Sequence, residues 1–379
     1  MRYADIYADV ESIAAISSTT ALLHNAIKRA IRHALDRYAG AYPWPHYRER
    51  GFFPTVAPYT TGTVAVTAGS PTVTGTGTVF AASHVGMKFR SGSDIPWYDV
   101  LTQDSATQLT LAQNYQGTTA SGNTYTLFQD EYRLNGDCLF LNNLIQTQFG
   151  LPMVVLNYLD MDNIDTMSRT SNDPILASVI GRKDDRYTTG TVTGALATPT
   201  TITGTNTLWT TPQGLSKGNR LSVTGNSEVY TIRSVDSATS LTIYEPISTA
   251  FTTSGYRIYQ NNLRVKVKQY PANARNIYYG YQRTPFPLVN DYDEPDMPRD
   301  FHYMLVWAGL VVAWASKGNF AGSQDAEAKF QGFVTDQMEL LTKTSADVRM
   351  VKNSMDRFWP LPLPPAYPPG YGLPLGLTY

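Results

Sequence analysis

The chain has 379 residues, a formal net charge of -1, 16% charged residues and 12% aromatic residues. Soluble domains usually carry about a quarter charged residues, so the polar positions here are filled largely by Thr, Ser, Asn, Gln and Gly, which is typical of β-rich proteins. The near-neutral charge argues against a sequence-nonspecific nucleic-acid binder, which needs a basic excess. The single cysteine, Cys138, excludes a disulfide framework within the chain and a cysteine-based zinc site.

The N-terminal segment predicts two helices. Apolar residues recur at helical spacing over 6–14, and the "SSTT" at 17–20 interrupts the pattern and supplies N-capping hydroxyls. A second apolar stripe runs over 22–38 and stops before the two prolines of "YPWPHY" at 42–47. No run of 18 apolar residues predicts a membrane span. The first residues also lack the layout of a signal peptide, so we expect the protein to stay where it is made or to leave within an assembly.

The second helix carries a basic face. The pattern has two interpretations: a solvated helix face, or a face that meets an acidic partner or DNA phosphates. Near-zero net charge favours a protein partner over DNA. The basic residues of the helix are Lys28, Arg29, Arg32 and Arg37, and Arg48 and Arg50 follow it.

Residues 60–129 and 188–260 are two copies of one module. "TVTGTGTVF" at 72–80 matches "TITGTNTLW" at 201–209, "DSATQLTL" at 104–111 matches "DSATSLTI" at 236–243, and two further blocks keep the same order. Alternating β-branched residues with Gly and Pro between them predict short antiparallel strands. Each copy is therefore predicted to be a small antiparallel β-barrel or sandwich.

The rest of the chain predicts an α+β host domain built from 1–59, 130–187 and 261–345, with the two modules inserted at exposed loops. The alternating "LRVKVK" and "NIYYGYQR" around "PANAR" predict a β-hairpin over 261–283. Apolar spacing over 298–345 predicts further helices, so the N- and C-terminal helices together form a bundle.

Residues 346–379 predict an extended, proline-rich C-terminal arm without charge after Arg357. An uncharged segment rich in apolar side chains is expected to dock on a partner. The arm residues expected to make that contact are Phe358, Trp359, Leu361, Leu363, Tyr367, Tyr371, Leu373, Leu375 and Tyr379.

Motifs for chemistry are sparse, and the sequence predicts no catalytic residue, metal site or cofactor. The five histidines lack metal-ligand spacing, and no phosphate-binding or nucleophile-elbow motif occurs. Cys138 is interpreted as a buried structural thiol. "DMDNID" at 160–165 lacks the Gly and terminal Glu of a calcium loop, and the acids of 291–300 fit a turn and a helix start. The aromatic clusters "IPWYDV" and "YYGYQRTPF" fit either core packing or sugar binding.

The host segments resemble a known family. "RYAGAYPWPHYRER", the strand starting "EYRLNGD" and above all "RTPFPLVNDYDEPDMPRD" with the helices after it look like the head-to-tail adaptor (connector) proteins of tailed bacteriophages, of the tail tubular protein A type. The two modules are similar to small β domains of phage virion proteins. Two modules and a proline arm depart from the simple family pattern.

The resemblance implies a structural, non-enzymatic virion protein made in the host cytoplasm. It implies a homo-oligomeric ring, commonly dodecameric, between the portal and the tail nozzle, with genomic DNA passing through its channel. The arm would insert between portal subunits, and the modules would contact the nozzle, the capsid or a tail fibre. Two alternatives stay open: a tail-fibre or baseplate protein whose modules bind host carbohydrate, and a cell-wall glycan hydrolase, for which no distinctive carboxylate pair is found.

Overall fold

A computed structural model describes the fold over residues 1–16, 21–92, 94, 96–146, 152–156, 174, 176–210, 215–268 and 270–358. At 146, 183–184 and 340–358 it describes the backbone only. The protein is a mixed α+β structure with mostly antiparallel sheets, as the sequence predicts. Contacts divide the chain into two compact units, one of Met1–Asp5 and Arg32–Pro298 and one of Ile6–Ile31 and the residues from Arg299 onward.

Helices occupy both ends of the described chain, which confirms the prediction for these segments. They are α1 (Tyr3–Ile13), α2 (Ala21–Ala41), α3 (His302–Ser316) and α4 (Phe320–Phe358). The last helix is longer than expected, because it includes 346–358, which the sequence assigns to the extended arm. No Pro or Gly occurs between Gly332 and Pro360, so nothing in that stretch breaks the helix.

The helical unit packs small and branched side chains closely. Gly309 of α3 lies against Val10 and Ile27, and a Cβ at this position would meet the Val10 side chain at 2.6 Å. The Lys317 ammonium donates to the carbonyls of Ala14 and Ala15 at 2.5 and 2.7 Å, which satisfies carbonyls at the end of α1. The α1 and α3 segments of this unit are thereby held by both apolar and polar contacts.

Among the described residues, twenty strands form the sheets of the larger unit. They are β1 (Arg48–Pro54), β2 (Thr63–Val66), β3 (Thr72–Thr76), β4 (Lys88–Ser91), β5 (Tyr98–Ser105), β6 (Gln108–Leu111), β7 (Ala120–Asn123), β8 (Tyr125–Phe128), β9 (Glu131–Arg133), β10 (Cys138–Gln146), β11 (Val154–Leu156), β12 (Leu176–Tyr187), β13 (Thr191–Gly194), β14 (Thr201–Thr205), β15 (Arg220–Val223), β16 (Val229–Ser237), β17 (Ser240–Ile243), β18 (Phe251–Ser254), β19 (Tyr256–Lys268) and β20 (Asn276–Arg283).

The predicted hairpin over 261–283 is wrong. Strand β19 pairs with β9, β12 and β15, whereas β20 pairs with β1 and β10 in a separate three-stranded sheet. The alternating apolar side chains of β19 and β20 enter one shared hydrophobic cluster, with Val265 and Val267 from the first and Ile277 and Tyr279 from the second. The "PANAR" segment therefore connects two sheets that share a core.

The two sequence repeats have the same strand order. In the first repeat the order is β7-β2-β3-β6-β5-β4-β8, and in the second it is β18-β13-β14-β17-β16-β15-β19. Each repeat has its own hydrophobic cluster. The repeats differ at the last strand, because β8 has 4 residues and β19 has 13. The extra length of β19 continues the second repeat's sheet into β12.

Equivalent side chains make equivalent hydrogen bonds in the two repeats. The Tyr59 hydroxyl accepts from the Val79 amide at 2.7 Å, and the Tyr187 hydroxyl accepts from the Leu208 amide at 2.8 Å. Gly77 of the first repeat is replaced by Asn206 in the second, and the backbone conformation is kept, since φ is +69 at Gly77 and 57 at Asn206. Glycine and asparagine are the residues that most readily adopt this left-handed conformation. The duplication therefore extends from the sequence to individual hydrogen bonds.

Candidate interaction surfaces

The basic face of α2 is largely exposed to solvent. Arg29, Arg32 and Arg37 are exposed, and Lys28 is half-buried with its ammonium 4.3 Å from the centre of the Tyr7 ring. This cation–π contact gives Lys28 a packing role. The structure thus agrees with the placement of these residues on one helix, and a partner for this face stays a prediction.

All of the predicted arm contacts except Phe358 lie outside the described residues. Phe358 is the last residue of α4, and its side chain is not described. The other eight, namely Trp359, Leu361, Leu363, Tyr367, Tyr371, Leu373, Leu375 and Tyr379, follow it in the chain. Their docking on a partner stays a prediction.

A cluster of charged side chains joins the second repeat to the three-stranded sheet. Lys217, in the segment between β14 and β15, places its ammonium 2.8 Å from Glu49 Oε2 and 3.2 Å from Asp137 Oδ2. Arg283 at the end of β20 holds the other Glu49 oxygen at 3.0 Å and Asp296 at 2.5 Å. Five charged groups thus meet, from β1, the β9–β10 connection, the β14–β15 connection, the end of β20 and the segment after it.

Burial and pairing determine the protonation of this cluster. Burial raises the pKa of Asp137, and the nearby ammonium of Lys217 only partly opposes this. Burial also tends to raise the pKa of Glu49, but the hydrogen bond and charge of Lys217 outweigh it and lower that pKa. For Lys217 itself, burial is outweighed by its hydrogen bond to Glu49 and by both carboxylates, so its pKa is raised. Opposite charges at short range therefore keep Glu49 and Lys217 ionised at neutral pH.

The backbone beside the cluster is equally constrained. The amides of Gly136 and Asp137 donate to the Lys217 carbonyl at 2.8 and 3.3 Å. Gly218 has φ +86, and a Cβ at this position would overlap the backbone of Asp137. Only glycine fits both the conformation and the close approach. We interpret the cluster as a structural joint whose charges are used in mutual pairing.

The other candidate groups are accounted for by packing. His24 Nδ1 lies 2.6 Å from Glu11 Oε1, and the buried His84 accepts from the Ala81 amide at 3.2 Å. Cys138 is fully buried, and burial raises the pKa of its thiol to about 12. Within the described ranges, no three His, Cys, Asp or Glu side chains are grouped so that they could hold a metal ion. The acids of "DMDNID" lie outside those ranges.

The two aromatic clusters lie mostly in cores. Tyr98, Tyr279 and Tyr281 are buried, while Tyr278 remains 45% exposed. Phe286 is 38% exposed, and its ring is covered by the Arg283 guanidinium at 4.0 Å. Alternation along the strands sends neighbouring rings to opposite faces, so few of these rings are available to a sugar.

Two further surfaces present exposed side chains of opposite charge. On β1, the side chains of Arg48, Arg50 and Phe52 alternate outward, and Phe52 is directly opposite Tyr278 on β20. We name these four residues the basic aromatic face. The loop 289–294 has exposed acids and is named the acidic loop. Strand β1 is not predicted from the sequence, so Arg48 and Arg50 are grouped there with the basic residues of α2. Their two-residue spacing with Phe52 is the signal that would predict this strand.

No protein-family model and no curated protein matches the chain. The resemblance to phage adaptors therefore depends on the sequence motifs alone, above all on residues 283–300. In the part of the chain that the structure describes, no helix is both long and apolar enough to cross a membrane.

Proposed function

We propose that the protein is a structural head-to-tail adaptor of a tailed bacteriophage, a non-enzymatic component of the virion neck. The observation that carries the proposal is the segment 283–300, where the family resemblance is strongest. Asp296 accepts from Arg283 and, at 3.0 Å, from the Phe286 amide, and Asp293 accepts from the Val289 and Asn290 amides, both at 2.7 Å. The acids of the motif thus act as caps that fix the shape of the segment that follows β20.

The proposal assigns a role to each part of the fold. The helices form a bundle in the wall of a ring, which is a dodecamer by analogy with the family, and genomic DNA passes through its channel. The repeats are small β-barrels or sandwiches inserted in this host domain, and they contact the tail nozzle or a tail fibre. Support for treating them as equivalent modules comes from their identical strand order.

The arm supplies the contact to the portal protein in this proposal. Its apolar, proline-rich composition suits a segment that becomes ordered when it binds. Ordering on binding would let the finished portal recruit the adaptor, and assembly would then follow a fixed sequence.

The test is electron microscopy of the purified full chain, alone and mixed with portal rings. We expect rings that stack coaxially on the portal, and loss of stacking when the chain is truncated after Phe358. A variant in which residues 359–379 keep their composition in scrambled order is the matched control for nonspecific adhesion. Normal portal binding by the truncated chain contradicts the arm assignment. Saturable binding of the full chain on a glycan array, without portal binding, supports the carbohydrate alternative.

A further inference from the structure

Within the described residues, no ion pair neutralises the positive charge of the basic aromatic face. Neither Arg48 nor Arg50 forms an ion pair among these residues, and the Arg48 guanidinium donates a hydrogen bond to the Pro43 carbonyl at 3.4 Å. Beside them Phe52 is 57% exposed, and its ring centroid lies 5.9 Å from that of the 45% exposed Tyr278. Interfaces are enriched in aromatic residues and Arg, and this face presents both.

A groove follows the same face of the three-stranded sheet. It has a volume of about 940 Å³, and Arg48, Arg50, Ile145 and Tyr278 contribute to its lining. Glu49 also lines it, but its carboxylate is already paired with Lys217 and Arg283. Strands β1, β20 and β10 form its floor, with β1 and β10 at the two edges of the sheet. The surface is therefore concave, cationic and partly apolar, and its complement is an anionic segment with an aromatic or aliphatic tip.

The acidic loop has this complementary chemistry. Tyr292 is 69% exposed at its tip, Val289 is 38% exposed, and Asp291 and Glu294 are exposed acids on either side of the tyrosine. The loop is also held in one shape, because Asp293 caps it and the Tyr3 and Ala4 amides donate to the carbonyls of Asp293 and Asp291 at 2.7 and 2.9 Å. A preformed loop loses little conformational entropy when it binds.

We propose that the acidic loop of one copy docks on the basic aromatic face of the next copy. This inference depends on the proposed ring and identifies the contact between its subunits. Tyr292 packs against Phe52 and Tyr278, and the carboxylates of the loop pair with the two arginines. The two surfaces differ, so the contact is head-to-tail, and repeated rotation closes such contacts into a ring. Complementary charge also rejects the wrong pairing of two like surfaces.

The arginines have a simpler interpretation. Charged side chains on an edge strand prevent it from pairing with other strands, and Arg48 and Arg50 lie on the edge strand β1. The two interpretations predict opposite results for charge reversal. Edge protection requires only charge of either sign, whereas docking requires positive charge.

The experiment is a charge swap in the full chain. The variants are R48E/R50E, D291R/E294R and the combination of all four changes, and R257E is the matched control because Arg257 is an exposed strand residue of the second repeat. Native mass spectrometry and light scattering measure the concentration at which subunits assemble. Each pair of reversals is expected to raise it at least tenfold, while the fourfold variant returns towards wild type and R257E leaves it unchanged.

Folding is checked for every variant by circular dichroism and thermal melting. Wild-type assembly by R48E/R50E overturns the docking contact and supports edge protection. Failure of the folded fourfold variant to regain assembly also overturns it, as does a wild-type chain that stays monomeric at all concentrations. The proposed function is judged separately by portal binding. If rings form through this contact but do not bind the portal, the adaptor function is wrong and the proposed contact stands.

Discussion

Removal of the Lys217 charge tests whether the ionic cluster is a structural joint. Lys217→Met keeps the apolar stem and leaves the carboxylates of Glu49 and Asp137 without this ammonium. Glu49 stays ionised and its Oε2 lies 2.8 Å from the ammonium, so with an effective dielectric constant of about 20 the lost attraction is about 6 kcal/mol. The variant also avoids the cost of desolvating the Lys217 ammonium on folding, and the Lys217 side chain is 25% exposed in the folded protein. Because this saving offsets part of the lost attraction, the expected net loss of unfolding free energy is about 3 kcal/mol.

The loss should depend on pH in a defined direction. The pKa of Glu49 is lowered in the folded protein, so its stabilising contribution is present above its unfolded pKa and disappears as pH falls through the folded value. The pKa of Asp137 is raised, so its ionisation opposes folding as pH rises through the folded value. Without Lys217 both carboxylates bind protons more readily. The difference in unfolding free energy between K217M and wild type is therefore expected to shrink below about pH 5.

Urea denaturation at pH 7 and at acid pH measures both effects. Arg257→Met is the matched control, since Arg257 is an exposed cation and its loss should change the free energy of unfolding by under about 0.5 kcal/mol. The double variant D137N/K217M should recover part of the loss, because it leaves one unpaired charge fewer. The structural-joint interpretation is refuted if the unfolding free energy of K217M equals that of the control at pH 7. It is also refuted if the loss of unfolding free energy in K217M grows as the pH falls.

Three further outcomes are expected. Gly218→Ala should lower the free energy of unfolding by more than about 2 kcal/mol, whereas Gly225→Ala, with φ +83 in open space, should cost about 1 kcal/mol in the same denaturation assay; equal costs would contradict the steric argument. Tyr59→Phe and Tyr187→Phe should each cost about 1 kcal/mol, and a large difference in their denaturation midpoints would show that the repeats are not equivalent. Cys138, with a thiol pKa of about 12, should resist a disulfide reagent at pH 8 until the chain is unfolded, and rapid native labelling would show that the thiol is accessible.

The elements that the sequence predicts well are those whose pattern is local. The helices follow from apolar spacing, and the two repeats follow from blocks that keep their order over the whole module. The hairpin fails because alternation shows which side chains point inward and does not show which strand is the neighbour. Val265 and Ile277 both enter one cluster, although their strands belong to different sheets.

The ionic cluster has no local pattern from which it could be predicted. Lys217 and Glu49 are 168 positions apart, and each is an ordinary charged residue in its own segment. Only the approach of the second repeat to the three-stranded sheet brings them together. The basic aromatic face is different, because its side chains alternate along one strand. Recognition of β1 from that alternation would separate Arg48 and Arg50 from the basic residues of the helix.

Some equivalent positions of the two repeats keep their residue because the fold requires it, whereas others differ according to the strands that the repeat contacts. Gly86 and Gly218 are equivalent, with φ +81 and +86, and they donate to the Val100 and Ile232 carbonyls at 2.9 and 2.8 Å. The next residue differs. Met87 is buried in the hydrophobic cluster of the first repeat, whereas Asn219 is buried in the second and donates to the Asn262 side chain at 2.7 Å.

A buried amide costs stability unless its polar atoms are bonded. Asn219 meets this requirement because Asn262 lies on the extended part of β19, beyond the point where the equivalent strand β8 has ended. The polar residue and the longer strand therefore depend on each other. Divergence at this one position, with the backbone unchanged, gives the second repeat a polar attachment to its neighbouring strands that the apolar Met87 cannot make.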